Sequence, residues 1–154
     1  MFSLFDLSLQ TMGMGFVWTL FGVSGEESGW RGFLQPSLEK KHSVIKASVI
    51  VGIIWGFWHA PMWFIQEVAG WKLIQYILLY FIYIISGSVI TGICYNRCKN
   101  LIVPIWLHFV CSYSLVPLTV GSLDISWLAA FYALAAIGYV IWYKKRIKNE
   151  VSTV

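Results

Sequence analysis

Charged residues are scarce in this sequence: only 12% of its 154 residues are Asp, Glu, Lys or Arg, whereas 58% are hydrophobic and 18% are aromatic. A soluble domain of this size could not hide so much apolar surface from water. The small net charge of +4 is better explained by contact with anionic lipid head groups than by nucleic-acid binding. We therefore expect the chain to be surrounded by lipid.

Cysteine is scarce as well, and Cys94, Cys98 and Cys111 form neither a disulfide framework nor a CxxC metal pair. The first residues, Met1–Asp6, lack the basic region that opens a secretory signal peptide. Long linkers, repeats and low-complexity tracts are also missing. These absences indicate a single membrane domain covering residues 1–154.

Five long apolar runs follow one another along the chain. About 20 helical residues are needed to cross the hydrocarbon core of a bilayer, and none of the runs alternates between apolar and polar residues as a barrel strand does. The predicted fold class is all-α, a polytopic transmembrane bundle of about five helices. The runs are Ser8–Val23, Ala47–Ile65, Leu73–Tyr95, Leu101–Val120 and Leu123–Tyr143.

Basic residues fall in three clusters, which the apolar runs separate. Because basic loops remain in the cytoplasm, a chain that crosses five times would place all three clusters there, with residues 144–154 as a basic cytoplasmic tail. The weakly charged links Gln66–Lys72 and Pro117–Asp124 would lie on the opposite side. The clusters are Lys40, Lys41 and Lys46; Arg97 and Lys99; and Lys144, Lys145, Arg146 and Lys148.

A group of ionisable residues follows the first apolar run. Ionisable residues in membrane proteins usually face the bundle interior and serve a function. Glu27 and Arg31 are four residues apart, so a helix places them on one face as an ion pair. Glu26 points about 100° away from Glu27 and would be the unpaired carboxylate, a candidate proton acceptor. The alternative is a Glu–Arg pair at the membrane interface, with Glu26 in water.

Two histidines lie within later apolar runs. His59 shares a helix face with Trp55 and precedes Pro61, which disturbs a helix and frees backbone groups; it suits a structural hydrogen bond as well as it suits chemistry. His108 and Ser112 are four residues apart and could together donate hydrogen bonds to an oxyanion. Alternatively, Ser112 bonds to a carbonyl of its own helix.

These polar groups can form a composite site only if their helices approach closely. Gly52 and Gly56 form a small-xxx-small pair that permits such an approach. His59 lies late in its run and His108 lies earlier in a parallel one, so helix tilt or vertical stagger must bring them together. One carboxylate and two imidazoles suit water activation, and Glu26, His59 and His108 equally suit a His₂Glu zinc set.

Three motifs within residues 22–112 give the chain a family resemblance. EExxxR is present as Glu26-Glu27-Ser28-Gly29-Trp30-Arg31, FxxxH as Trp55-Gly56-Phe57-Trp58-His59, and HxxxN as His108-Phe109-Val110-Cys111-Ser112. In this order and spacing they resemble the CPBP family of CAAX prenyl proteases and bacteriocin-processing (Abi) membrane proteins, relatives of the Ras-converting prenyl-protein endopeptidase. The resemblance implies the core of the CAAX-protease fold.

The resemblance also implies roles for individual residues. Glu26 would act as general base and, with His59, activate the hydrolytic water. His108, with Ser112, would stabilise the oxyanion, and the other two charged residues of the first motif would support the site. The family has been described both as metalloendopeptidases and as metal-independent glutamate proteases. The lack of an HExxH pair favours a metal-independent reaction without a cofactor. The alternative is zinc bound by Glu26, His59 and His108.

The chain departs from the family pattern at two motif positions and in length. Trp55 stands where the motif has Phe, an aromatic exchange that we expect to be tolerated. Ser112 stands where the motif has Asn, and its shorter side chain donates from a different place, which predicts reduced or altered activity. Members of the family have more helices ahead of the first motif than the single run Ser8–Val23 in this sequence. This difference fits a natural short form, a truncated product or a homo-oligomer.

The leading functional hypothesis is an intramembrane endopeptidase in a bacterial plasma membrane. Its partners would be membrane lipids and a protein or peptide substrate, either a prenylated CAAX-type protein or a small membrane peptide such as a bacteriocin precursor. The alternative is a non-catalytic bacteriocin-immunity or scaffold protein of the same fold, which Ser112 favours. A small transporter with a Glu/His proton relay fits the charges but not the motif spacing.

Overall fold

Helices make up nearly all of the structure, a computed structural model that describes residues 9–64, 69–119 and 125–152. Within these ranges no strand occurs, which confirms the predicted all-α class. Five long helical segments match the five apolar runs, although the ends of several runs and most of the two weakly charged links lie outside the described residues. The α-helices are α1 (Leu9–Gly29), α2 (Gln35–Glu39), α3 (Val44–Trp58), α4 (Ala60–Trp63), α5 (Trp71–Cys98), α6 (Ile102–Thr119) and α7 (Ile125–Ser152).

The first helical segment is longer than its apolar run predicts. Helix α1 passes through a π-helix at Trp30–Leu34 directly into α2, so the chain stays helical from Leu9 to Glu39. The hydrophobic run ends at Val23 because interior polar residues begin there, and not because the helix ends. Short π-helical segments are rare and are often found at functional sites, and this one contains Arg31 of the first motif.

The second run is divided into two helices at His59, as the position of Pro61 predicts. Helix α3 ends at Trp58, His59 adopts φ −86° and ψ 1°, and α4 begins at Ala60 with Pro61 in its first turn. Proline is accepted in a first turn because its missing N–H would have no helical partner there. The break therefore positions His59 at the end of a helix.

The bundle interior holds polar and charged residues beside its apolar core, and many large apolar side chains lie on the outside. Arg31, Gln35 and Glu27 are among the largest fully buried side chains, whereas Phe21 is 72% exposed and Trp127 is 74% exposed. A surface with so many exposed aromatic and aliphatic side chains suits lipid and not water. Among the described residues, α5 and α7 are long and apolar enough to cross a membrane.

Helix α5 is central: it packs against α3, α6 and α7, while α6 also packs against α1. Gly52 and Gly56 make the α3–α5 approach possible. A Cβ atom at Gly52 would lie 2.8 Å from the Cα of Ile85, and one at Gly56 would lie 2.5 Å from the ring of Phe81. The close approach expected from the small-xxx-small pair is confirmed, and it brings the second motif beside α5.

The three basic clusters gather at one end of the bundle. Glu39 of α2 accepts a hydrogen bond from Asn96 Nδ2 at 2.8 Å and lies 3.8 Å from Lys99 Nζ, both near the end of α5. Arg97 lies 3.8 Å from Glu150 of α7. Residues 144–152, predicted as a basic tail, continue α7 as helix.

Candidate active site

The first motif supplies a buried ion pair. Glu27 Oε1 accepts a hydrogen bond from Arg31 Nη1 at 2.9 Å, and both side chains are fully buried, which confirms the pair predicted from their spacing. Arg31 Nη2 also donates to the Ser88 carbonyl at 3.2 Å and to Ser88 Oγ at 3.0 Å. Ser88 Oγ in turn donates to the Ser48 carbonyl at 2.8 Å. One guanidinium thus links the first helical segment to α5 and, through Ser88, to α3.

Glu27 also connects the first motif to the third. His108 Nδ1 lies 2.9 Å from Glu27 Oε1, the oxygen that Arg31 already contacts. An ionised carboxylate only accepts hydrogen bonds, so with Glu27 ionised the His108 Nδ1 carries the proton of this bond. The His108 side chain is 13% exposed. The residue spacing predicted only Arg31 as a partner of Glu27. In the structure Glu27 also contacts His108, so that it links α1 to α6.

Glu26 forms no ion pair among the described residues, in agreement with helix geometry, but it does have a hydrogen-bond partner. Its Oε2 accepts a hydrogen bond from Trp55 Nε1 at 2.6 Å. The rotation of 100° away from Glu27 turns Glu26 toward α3, where the indole of the second motif lies. Helix geometry did not predict this bond because the partner is 29 positions away in the sequence, beyond the reach of an argument from one helix.

His59 and His108 are both arranged around Trp55. His59 Nδ1 lies 3.0 Å from the Trp55 carbonyl oxygen one turn earlier. A carbonyl oxygen only accepts, so Nδ1 of the neutral ring carries the proton and Nε2 is left as an acceptor. The His108 ring meets the Trp55 ring edge-on at 4.8 Å between centroids. Both histidines therefore contact Trp55, His59 through its carbonyl and His108 through its ring.

A cavity of about 380 Å³ lies beside these residues, within the size range of small-molecule sites. Its wall includes Trp55, His59, His108 and Ser112, together with tyrosines of α5 and α7. Three of the four predicted catalytic residues thus face one space. Glu26 is not part of the cavity wall in the described structure and reaches it through the indole of Trp55.

Further buried polar residues, which the sequence did not predict, pack next to this arrangement. Gln35 is fully buried, and its Nε2 donates to Glu39 Oε1 at 2.9 Å and to the Gly92 carbonyl at 3.1 Å. A Cβ atom at Gly92 would collide with Ser48 Oγ and lie 2.7 Å from Gln35 Oε1. The sequence signal was the series of small and hydroxyl residues from Ser86 to Gly92, unusual within an apolar run.

The zinc alternative requires Glu26, His59 and His108 to share one ligand sphere. Among the described residues, no group of three or more His, Cys, Asp or Glu side chains is arranged to hold a metal ion. Both imidazoles are held through Nδ1, so a bond to a metal would have to come from Nε2, as is common in histidine ligands. Zinc binding by this set therefore stays a prediction.

Comparisons with known proteins agree with the motifs. The sequence model of the Rce1-like family, type II CAAX prenyl endopeptidases, matches residues 8–114, which contain all three motifs. A CAAX prenyl protease 2 from Methanococcus maripaludis is 33% identical over 138 residues, covering 85% of this chain and 50% of that protein. The chain thus spans about half the length of this curated relative. No solved structure matches it.

The resemblance found in the three motifs is therefore confirmed at the level of the family, which is membrane-embedded. Its match covers more than half of the chain, and the three motifs lie in the first helical segment, at the end of α3 and in α6. The chain belongs to the Rce1-like family of type II CAAX prenyl endopeptidases.

Proposed function

We propose that this chain is the core of an intramembrane endopeptidase that hydrolyses a peptide bond in a prenylated, CAAX-type protein. The observation that supports this function is that residues of the second and third motifs line one cavity, while the two carboxylates of the first motif contact both of those motifs. Its volume of about 380 Å³ accommodates a few side chains and not a folded protein. A flexible segment at the end of a substrate would therefore be the part that enters.

Water activation is assigned to Glu26 and His59. The indole of Trp55 occupies Glu26 Oε2, which leaves Oε1 to accept a proton from a water molecule. His59, with Nδ1 held by a carbonyl, can orient the same water through Nε2. As the water oxygen attacks the scissile carbonyl carbon, the proton passes to Glu26, which later returns it to the leaving amine.

Oxyanion stabilisation is assigned to His108 and Ser112. A hydrogen bond to the oxyanion must come from Nε2–H, because Nδ1 of His108 contacts Glu27. The ring would then carry protons on both nitrogens, with Glu27 as the acceptor of one of them. The Ser112 hydroxyl, from the same cavity wall one turn later, supplies the second donor.

The decisive test is mass spectrometry of prenylated peptides and their unprenylated counterparts after incubation with the lipid-reconstituted protein. We expect wild type to cleave the prenylated peptides and Glu26→Gln to be slower by about 10²–10⁴-fold, the usual contribution of a general base. Glu150→Gln makes the same exchange at a half-exposed position near the end of α7, and it should cleave as wild type does.

The same experiment distinguishes the alternatives. Equal cleavage by Glu26→Gln and wild type would remove Glu26 as the base. Loss of activity on adding a chelator, with recovery on adding zinc, would favour the metal alternative. Cleavage of small unprenylated membrane peptides alone would move the substrate class to bacteriocin-like precursors. A folded wild type that cleaves none of the peptides would favour the non-catalytic immunity or scaffold function.

We further propose that the end carrying the basic clusters faces the cytoplasm of a bacterial cell, in accordance with the positive-inside rule. Cys98 offers a test, because it lies at this end and is exposed, whereas Cys94 and Cys111 are partly buried. A membrane-impermeant maleimide should label Cys98 in inverted membrane vesicles and not in intact cells, with Cys98→Ser as the control. Labelling in intact cells would reverse the proposed orientation.

A further inference from the structure

We infer that Trp55 is a positioning residue of the site, holding Glu26 by its indole N–H while its ring and its carbonyl fix the two histidines. The effect of Trp55 on catalysis rests on the proposed function. Its structural basis is the contact between Trp55 Nε1 and Glu26 Oε2, which joins the first motif to the second across two helices.

Three separate contacts of one residue support this assignment. The indole nitrogen lies 2.6 Å from Glu26 Oε2, the ring meets the His108 ring at 4.8 Å, and the carbonyl oxygen lies 3.0 Å from His59 Nδ1. The Arg31 guanidinium also lies over the ring, 5.2 Å from its centroid. Trp55 is only 6% exposed, so these contacts are held by packing.

Only one of these contacts depends on the residue being tryptophan. The motif that this chain resembles has Phe at the position of Trp55, and a Phe ring could still pack against His108 and leave the carbonyl unchanged. It has no N–H, however, and cannot donate to Glu26. The exchange that looked neutral in the sequence therefore adds a hydrogen bond to the proposed general base.

The effect of this hydrogen bond on the reaction is to fix the carboxylate. A glutamate side chain has several rotamers, and a general base must lie within hydrogen-bonding reach of the proton that it takes. By occupying Oε2, the indole of Trp55 limits Glu26 to rotamers that leave Oε1 for the water. A loss of this restraint should lower kcat and leave substrate binding nearly unchanged.

The test compares Trp55→Phe with Trp63→Phe in the peptide-cleavage assay. Trp63 is also 6% exposed, and its indole nitrogen is buried without a hydrogen-bond partner in the part of the chain that the structure describes. We expect Trp55→Phe to lower kcat by about 10- to 100-fold, which corresponds to one hydrogen bond to a charged group, with KM within about threefold. Trp63→Phe should not reproduce this loss in kcat.

A second readout does not depend on cleavage. In protein labelled with ¹⁵N-tryptophan, the indole N–H signal missing from the spectrum of Trp55→Phe belongs to Trp55. We expect this signal to move to lower proton chemical shift in Glu26→Ala, where the acceptor is gone, and to stay in place in Glu150→Gln. A purely structural role of the ring would not couple this signal to Glu26.

The outcomes of the two readouts are distinct. If wild type cleaves and Trp55→Phe behaves as Trp63→Phe does, the inference is overturned while the proposed function stands. If wild type cleaves nothing, the proposed function fails, and the indole signal alone decides whether Trp55 holds Glu26. A signal that does not respond to Glu26→Ala overturns the inference in either case.

Discussion

Arg31→Met is expected to lower the free energy of unfolding by about 3–5 kcal/mol, the cost of removing one partner from a buried ion pair. Glu27 would keep its place in the interior, where both side chains are fully buried, and would lose its guanidinium donor. The hydrogen bonds from Arg31 to Ser88 would be lost as well. Equilibrium unfolding in mixed detergent micelles, followed by circular dichroism, measures the change.

Arg146→Met is the matched control. Arg146 and Glu150 are also four residues apart on a helix and lie 3.0 Å from each other, but their side chains are 57% and 54% exposed. Pairs of this kind contribute less than about 1 kcal/mol. Adding Glu27→Gln to Arg31→Met should recover part of the lost stability because it removes the buried charge. Equal costs for the two arginine variants would contradict a structural role for the buried pair.

Those parts of the fold that depend on neighbouring residues were predictable from the sequence. Apolar runs long enough to cross a membrane predicted the five helical segments, and the spacing of four residues predicted the Glu27–Arg31 ion pair. The break at His59 followed from Pro61, and the close approach of α3 and α5 followed from the small residues at positions 52 and 56. In each case the cause lies within one or two turns of a helix.

Contacts between distant helices were not predictable in the same way. The bond between His108 and Glu27 joins positions 81 apart, and the bond between Trp55 and Glu26 joins positions 29 apart. Such pairs depend on how each helix is rotated and tilted against the others, which one amphipathic pattern does not determine. The motifs indicated which segments of the chain would come together, because the resemblance carries information from a fold, but they did not predict these two pairs of side chains.

The π-helix at Trp30–Leu34 is a second feature that the sequence did not reveal. Its position matters because the extra residue in the turn changes the direction of every later side chain of the first helical segment. Gln35 begins α2 directly after it, and reaches the Gly92 carbonyl of α5. An argument from uniform helical geometry would have placed this side chain on a different face.

His108→Ala is expected to lower kcat by about 10²–10³-fold, the usual effect of removing one oxyanion donor. The prediction depends on the cavity position of His108 and on its bond to Glu27, which fixes the ring. His42→Ala, in the turn between α2 and α3, removes an imidazole at a partly buried position away from the cavity wall. It should leave cleavage of the prenylated peptides unchanged.

Single-turnover rates for the two histidine variants, measured beside their unfolding curves, separate chemistry from folding. The His108 ring packs against Trp55 and contacts Glu27, so some loss of stability is expected with the loss of rate. A folded His108→Ala protein with the wild-type rate would contradict the oxyanion role. His108 would then serve only to pack against Trp55 and to contact Glu27. The Ser112 hydroxyl would be the remaining proposed donor to the oxyanion.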